Sequence, residues 1–77
     1  MNKQKRERVV FNYGKLLGKI KESGLTQKSV AYALGADEGT ISSKFKNRVS
    51  FTQSEIDGIC ELLDIPNEEI GVYFFAR

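Results

Sequence analysis

Four times along the chain an apolar residue precedes a polar capping residue, and a second apolar residue follows the first by five positions. The sets are Phe11-Asn12 with Leu16, Leu25-Thr26 with Val30, Ala36-Asp37 with Ile41, and Phe51-Thr52 with Ile56. This is the spacing of a hydrophobic staple around a helix N-cap: the side chain before the cap packs on one in the first full turn, and the cap oxygen accepts an orphan backbone N–H. Thr52-Gln53-Ser54-Glu55 also spells a capping box. Ile65 and Ile70 repeat the offset, with Pro66 where the cap would stand. Five short helices are predicted, at about 13–23, 27–34, 38–46, 53–63 and 67–73. Gly24 and Gly35 close the first two, because glycine takes the left-handed conformation at a helix end without strain. The inward residues are Leu16, Leu17 and Ile20, then Val30, Ala31 and Leu34, then Ile41 and Phe45, then Ile56, Ile59, Cys60 and Leu63. No alternating strand pattern interrupts them, so the fold class is all-α.

Composition narrows what such a bundle can do. The 77 residues allow one small domain, assigned to 11–77, behind a basic, flexible arm at 1–10. One cysteine and no histidine exclude an intrachain disulfide, make a zinc site improbable and remove the usual general base. No phosphate loop or nucleophile motif is present, so neither an enzyme nor a cofactor is expected. The longest apolar run, VYFFA at 72–76, is far too short to span a bilayer. No signal peptide is legible, and the expected location is the cytoplasm. The net charge of +2 conceals a division. Residues 1–48 hold eleven Lys/Arg against four Asp/Glu, and residues 49–77 hold one against six. Either one side of the domain faces a polyanion, or the charges cluster by chance on solvated helices.

The second and third predicted helices, joined through Gly35, form a helix-turn-helix. Ala31 provides the small residue where the two cross. The stretch LTQKSVAYALGADEGTISSKFKNRV, residues 25–49, resembles the Cro/CI-type (XRE-type) repressors of phages and bacteria. Thr26-Gln27, Val30-Ala31, Leu34-Gly35, Asp37 and Ile41-Ser42 carry the resemblance, and the tail LLDIPNEEIGVYFF looks like the ending of small Cro-like phage proteins. It implies a lambda-repressor-like fold whose third helix enters the major groove of DNA. Two positions depart from the family pattern. Lys44 stands where an aliphatic residue is common, so Phe45 becomes the anchor. Asn47 replaces a frequent glycine, and asparagine tolerates the left-handed turn.

On a helical wheel, Gly39, Ser42, Ser43 and Lys46 lie opposite Ile41 and Phe45. The base-reading candidates are Glu38, Gly39, Thr40, Ser42 and Ser43; the phosphate-binding candidates are Gln27, Lys28, Lys46, Asn47 and Arg48. Asp37 is assigned to capping. Glu38 either accepts from the N4 amino group of a cytosine or only stabilises the helix dipole. Gly39 either permits close approach to DNA or is simply tolerated in a first turn.

The function expected is a sequence-specific transcriptional regulator of phage or prophage origin. Its partner would be a double-stranded DNA operator, bound as a homodimer because one short helix reads too few base pairs. Tyr73, Phe74 and Phe75 are the dimer candidates. The alternative is a modulator or antirepressor that keeps the fold and captures a phage repressor. The acid at the tip of the third helix and the modest net charge keep that alternative open.

Overall fold

The computed structural model describes residues 9–77, and these are all-helical, with five α-helices and no strand among them. In chain order they are α1 (Gly14–Glu22), α2 (Gln27–Leu34), α3 (Glu38–Phe45), α4 (Gln53–Leu63) and α5 (Ile70–Phe74), with a 3₁₀ turn at Asn67–Glu69 leading into α5. The arm assigned to residues 1–10 falls almost wholly outside the described residues. No described helix is long and apolar enough to cross a membrane.

Caps explain most of the boundaries. Thr26 accepts from the Ser29 N–H, and the Ser29 hydroxyl accepts from the Thr26 N–H. Asp37 accepts from the Thr40 N–H. Thr52 and Glu55 close the capping box at the start of α4. Each cap satisfies donors that the first helical turn leaves without a partner. The first start differs from expectation. Asn12 does not cap α1; its Oδ1 accepts from the Gly14 N–H, and Tyr13 precedes the helix with no side-chain cap. Tyr13, at 7% exposure, is itself part of the core. Gly24, Gly35 and Asn47 all take positive φ, as their turns require.

The core gathers Leu16, Ile20, Val30, Ala31, Ile41, Phe45, Ile59, Leu63, Ile65 and Phe74. Phe11, before Asn12, and the residues that precede the three caps, Leu25, Ala36 and Phe51, pack against it. An aromatic chain runs through its centre, with Phe51 edge-on to Tyr13, Phe45 and Phe74 at 5.2–5.7 Å. α2 packs on α3 and α4, and α1 packs on α5. At the α2–α4 crossing a Cβ on Gly58 would stand 2.6 Å from a Leu34 methyl, so a side chain there would force Leu34 to shift. Cys60 is buried on this face, and burial pushes its thiol upward from the ordinary value, with Asp57 adding to the effect. The cysteine is a packing residue, as its spacing predicts.

One buried group was not anticipated. Lys44 is 5% exposed, and its Nζ donates to both carboxylate oxygens of Glu55, at 2.5 and 2.6 Å. Burial pushes the Glu55 carboxyl up, but the bonds from Lys44 and Thr52, with the Lys44 charge, outweigh this and hold it below its usual range. A carboxyl lowered in the folded state adds stability above its unfolded value, and that contribution is lost as pH falls through the folded value. In urea titrations, wild-type stability should therefore fall as pH drops below the ordinary glutamate range near 4.5. That fall should be shallower in Glu55→Gln, and equal acid slopes would remove Glu55 as a source of acid sensitivity.

Candidate functional site

The outer side of α3, with the adjoining surface of α2, is the candidate site. Ile41 and Phe45 turn inward at 0% and 7% exposure, joined by Lys44. That fixes the rotation of the helix. Glu38, Gly39, Thr40 and Lys46 are exposed, while Ser42 and Ser43 are half-buried. The five base-reading candidates thus lie together on or beside one accessible strip, with Lys46 at its trailing end.

The phosphate candidates divide. Lys28, Lys46 and Arg48 are exposed, and Gln27 is half-buried at the start of α2. Asn47 is different. Its Oδ1 accepts from the Phe11 N–H and its Nδ2 donates to the Phe11 carbonyl, both at 2.9 Å. The amide expected at a phosphate is engaged in holding the N-terminal segment against the end of α3. Long-range pairing of this kind leaves no local trace in sequence.

The leading tip has its own chemistry. Asp37 caps through Oδ2, so its carboxylate has a structural task. A Cβ on Gly39 would lie 3.0 Å from that same Oδ2. The bare position therefore also makes room for the capping carboxylate, a reason internal to the fold. Glu38 projects beyond both, exposed. α3 is thus polarised, with acid at its N-terminal tip and Lys46 and Arg48 past its C-terminal end. On α2, Tyr32 is also open to solvent. It stands 89% exposed, the most exposed of the large apolar side chains among the described residues. The wheel that turns Val30, Ala31 and Leu34 inward places residue 32 outward, so this tyrosine was legible but unassigned.

The dimer candidates separate as well. Phe74 is 1% exposed, among the largest fully buried side chains, and is not available to a partner. α5 is a single short turn whose inward residue must close the aromatic core beside Phe51. Tyr73 is half-buried against the core, and Phe75 is 50% exposed, edge-on to Phe11 at 5.6 Å.

Comparison with known proteins adds the following. Residues 9–77 match the family described as "Protein of unknown function (DUF739)". Among solved structures, the fold is similar to the solution structure of the modulator of repression (MOR) of the temperate bacteriophage TP901-1 from Lactococcus lactis. The TM-score is 0.73 and the identity 37%, over 84% of this chain and 88% of that one. No curated protein matches.

Proposed function

We propose that the chain, which belongs to the DUF739 family, is a phage regulator that acts by capturing a repressor, using the outer face of α2 and α3. The observation that carries this reading is the 37% identity to a phage modulator of repression across most of both chains. A protein that modulates repression acts on the repressor or on its DNA. The chemistry of the α3 tip favours the repressor. Where a DNA-reading helix leads with side chains for bases, this one leads with Asp37, Glu38 and the bare Gly39. Carboxylates repel phosphates but complement the basic surface with which a repressor meets DNA. Tyr32, exposed on α2, suits a protein interface, where tyrosine is enriched among the residues that dominate affinity.

The test is calorimetric titration against the repressor of the same phage in DNA-free buffer. A saturable complex is expected, and Tyr32→Ala should weaken it by about 30-fold, the equivalent of about 2 kcal/mol. An unchanged affinity in that variant would remove Tyr32 as an anchor. Absence of any complex would remove the capture reading itself.

A second reading, direct and sequence-specific DNA binding, is favoured by the accessible strip on α3 and by the resemblance of residues 25–49 to Cro and CI repressors. Glu38, Thr40, Ser42 and Ser43 would then read bases beside Gly39. Gln27, Lys28, Lys46 and Arg48 would hold phosphates. This reading requires binding to an operator without the repressor, weakening steeply as salt rises.

A further inference from the structure

Residues 9–12 precede α1 and belong to no helix. They are tied down at two places far apart in sequence. On one side the Asn47 amide engages both backbone groups of Phe11: Oδ1 accepts from its N–H and Nδ2 donates to its carbonyl, each at 2.9 Å. On the other side the Asn12 N–H donates to the Ala76 carbonyl at 2.8 Å. The Phe11 ring there meets Phe75 edge-on at 5.6 Å, and the Arg77 guanidinium stands over the same ring at 5.8 Å. The segment thus bridges the trailing end of α3 and the residues after α5. It lies shallowly. Val9 and Val10 are 44% and 61% exposed, and Phe11 is only half-buried. Phe11 and Phe75 also line a cavity of about 80 Å³ together with Tyr13, Phe51 and Phe74 of the aromatic core. A seam with a void along it forfeits contacts that a filled one would make. Segments with few buried apolar contacts open locally, well below the cost of global unfolding.

The two ties share one peptide group. The Phe11 carbonyl, which accepts from Asn47, and the Asn12 N–H, which donates to Ala76, are opposite ends of the same planar amide. Turning that plane breaks both bonds at once. While both are made, each polarises the amide in the sense that strengthens the other. Glycine would satisfy the positive φ at position 47 equally well. What the asparagine adds is a donor and an acceptor on one side chain, matched to the N–H and carbonyl of a single residue. We propose that residues 9–12 form a strap with Asn47 as its buckle, and that the strap opens as a unit. Releasing either tie frees the other, so the trailing end of α3 and the residues after α5 loosen together while the core stays folded. Such coupling is reciprocal. Lys46 and Arg48 flank the buckle, so a contact that grips residues 75–77 also steadies those two cations at the end of the candidate face.

Amide hydrogen exchange, read residue by residue by NMR on the full chain, tests the coupling from both ends. Asn47→Gly keeps the turn and removes both bonds to Phe11. The Asn12 N–H, which Asn47 does not touch, should then exchange about ten-fold faster. Asn47→Asp keeps an acceptor for the Phe11 N–H and a side chain that tolerates positive φ, but sets a second oxygen against the Phe11 carbonyl. It should accelerate Asn12 as well, which separates the lost donor from the backbone freedom of glycine. From the other end, Phe75→Ala should speed exchange of the Arg48 N–H, which donates to the Ser43 carbonyl, about five-fold. In all three variants the Val30 and Ile65 amides, outside the strap, should change far less. The proposal is overturned if Asn12 exchanges at the wild-type rate in either Asn47 variant, or if Arg48 does so in Phe75→Ala. It is overturned equally if Val30 and Ile65 accelerate as much as the strap amides, because the segment would then open only with the whole domain. None of these outcomes depends on whether a repressor is captured.

Discussion

Phe74→Ala should remove most of the stability of this domain, and Phe75→Ala, one residue later, should leave it nearly intact. Phe74 is 1% exposed and edge-on to Phe51 at 5.7 Å. Truncating a buried phenylalanine costs about 3–5 kcal/mol, from lost transfer energy and from the cavity that remains. A domain of this size has on the order of 7 kcal/mol in total, at roughly 0.1 kcal/mol per residue. Roughly 40–70% of it therefore rests on this one ring. The neighbouring ring is 50% exposed and touches Phe11 edge-on. Such a pair contributes about 1 kcal/mol, and half of the Phe75 surface is already in water. Urea unfolding followed by circular dichroism should show the Phe74→Ala midpoint collapsing and the Phe75→Ala midpoint moving slightly. Equal shifts would mean that α5 does not close the core in the manner described.

The same pair shows where sequence reading succeeds and where it stops. Helix α2 was legible to the residue, because Thr26 caps it and Gly35 ends it, and both signals are local. The starts of α3 and α4 were legible for the same reason. Which of three consecutive aromatics would be buried was not, because α5 is one turn long and a single turn has no periodicity to read. Asn47 illustrates a different limit. Its tolerance of positive φ could be anticipated from residue type, and the structure has it at 65°. Its two bonds to Phe11, 36 positions away, could not be anticipated. At the candidate site the wheel turned Ile41 and Phe45 inward, as the structure does, but it did not place Lys44 beside them, and Ser42 and Ser43 are half-buried rather than fully outward. It did not reveal that Gly39 clears space for the Asp37 carboxylate, a contact set by atoms rather than by pattern.

Lys44 departs from an aliphatic position and Glu55 is half of a capping box, but the pairing between them spans two helices. It leads to the second large effect. Lys44→Met should destabilise the domain by about 2 kcal/mol, and adding Glu55→Gln should restore most of that loss. Methionine matches the buried lysine stem in shape, so packing survives. What is lost is the cation, which leaves a largely buried carboxylate without its counter-ion. Breaking one side of a fully buried pair costs about 3–5 kcal/mol, and the Glu55 side chain, at 20% exposure, retains enough water to reduce that figure. Glutamine in place of Glu55 removes the stranded charge while its side-chain oxygen still accepts from the Thr52 N–H, as Glu55 Oε1 does at 2.8 Å. The double variant should therefore lie within about 1 kcal/mol of wild type, since a neutral pair of similar volume often replaces a buried ion pair at little cost. Glu55→Gln alone, which strands the ammonium at 7% exposure, should cost about as much as Lys44→Met alone. Four urea curves close the double-mutant cycle. A coupling of about 1.5 kcal/mol or more would place the ion pair among the main ties between α3 and α4, whereas losses that simply add would mean that each side chain acts through its own packing. Neither residue lies on the exposed strip of α3, so, if the proposed capture function holds, a restored double variant should also bind repressor as wild type does, and this separates the fastening of that helix from the surface it presents.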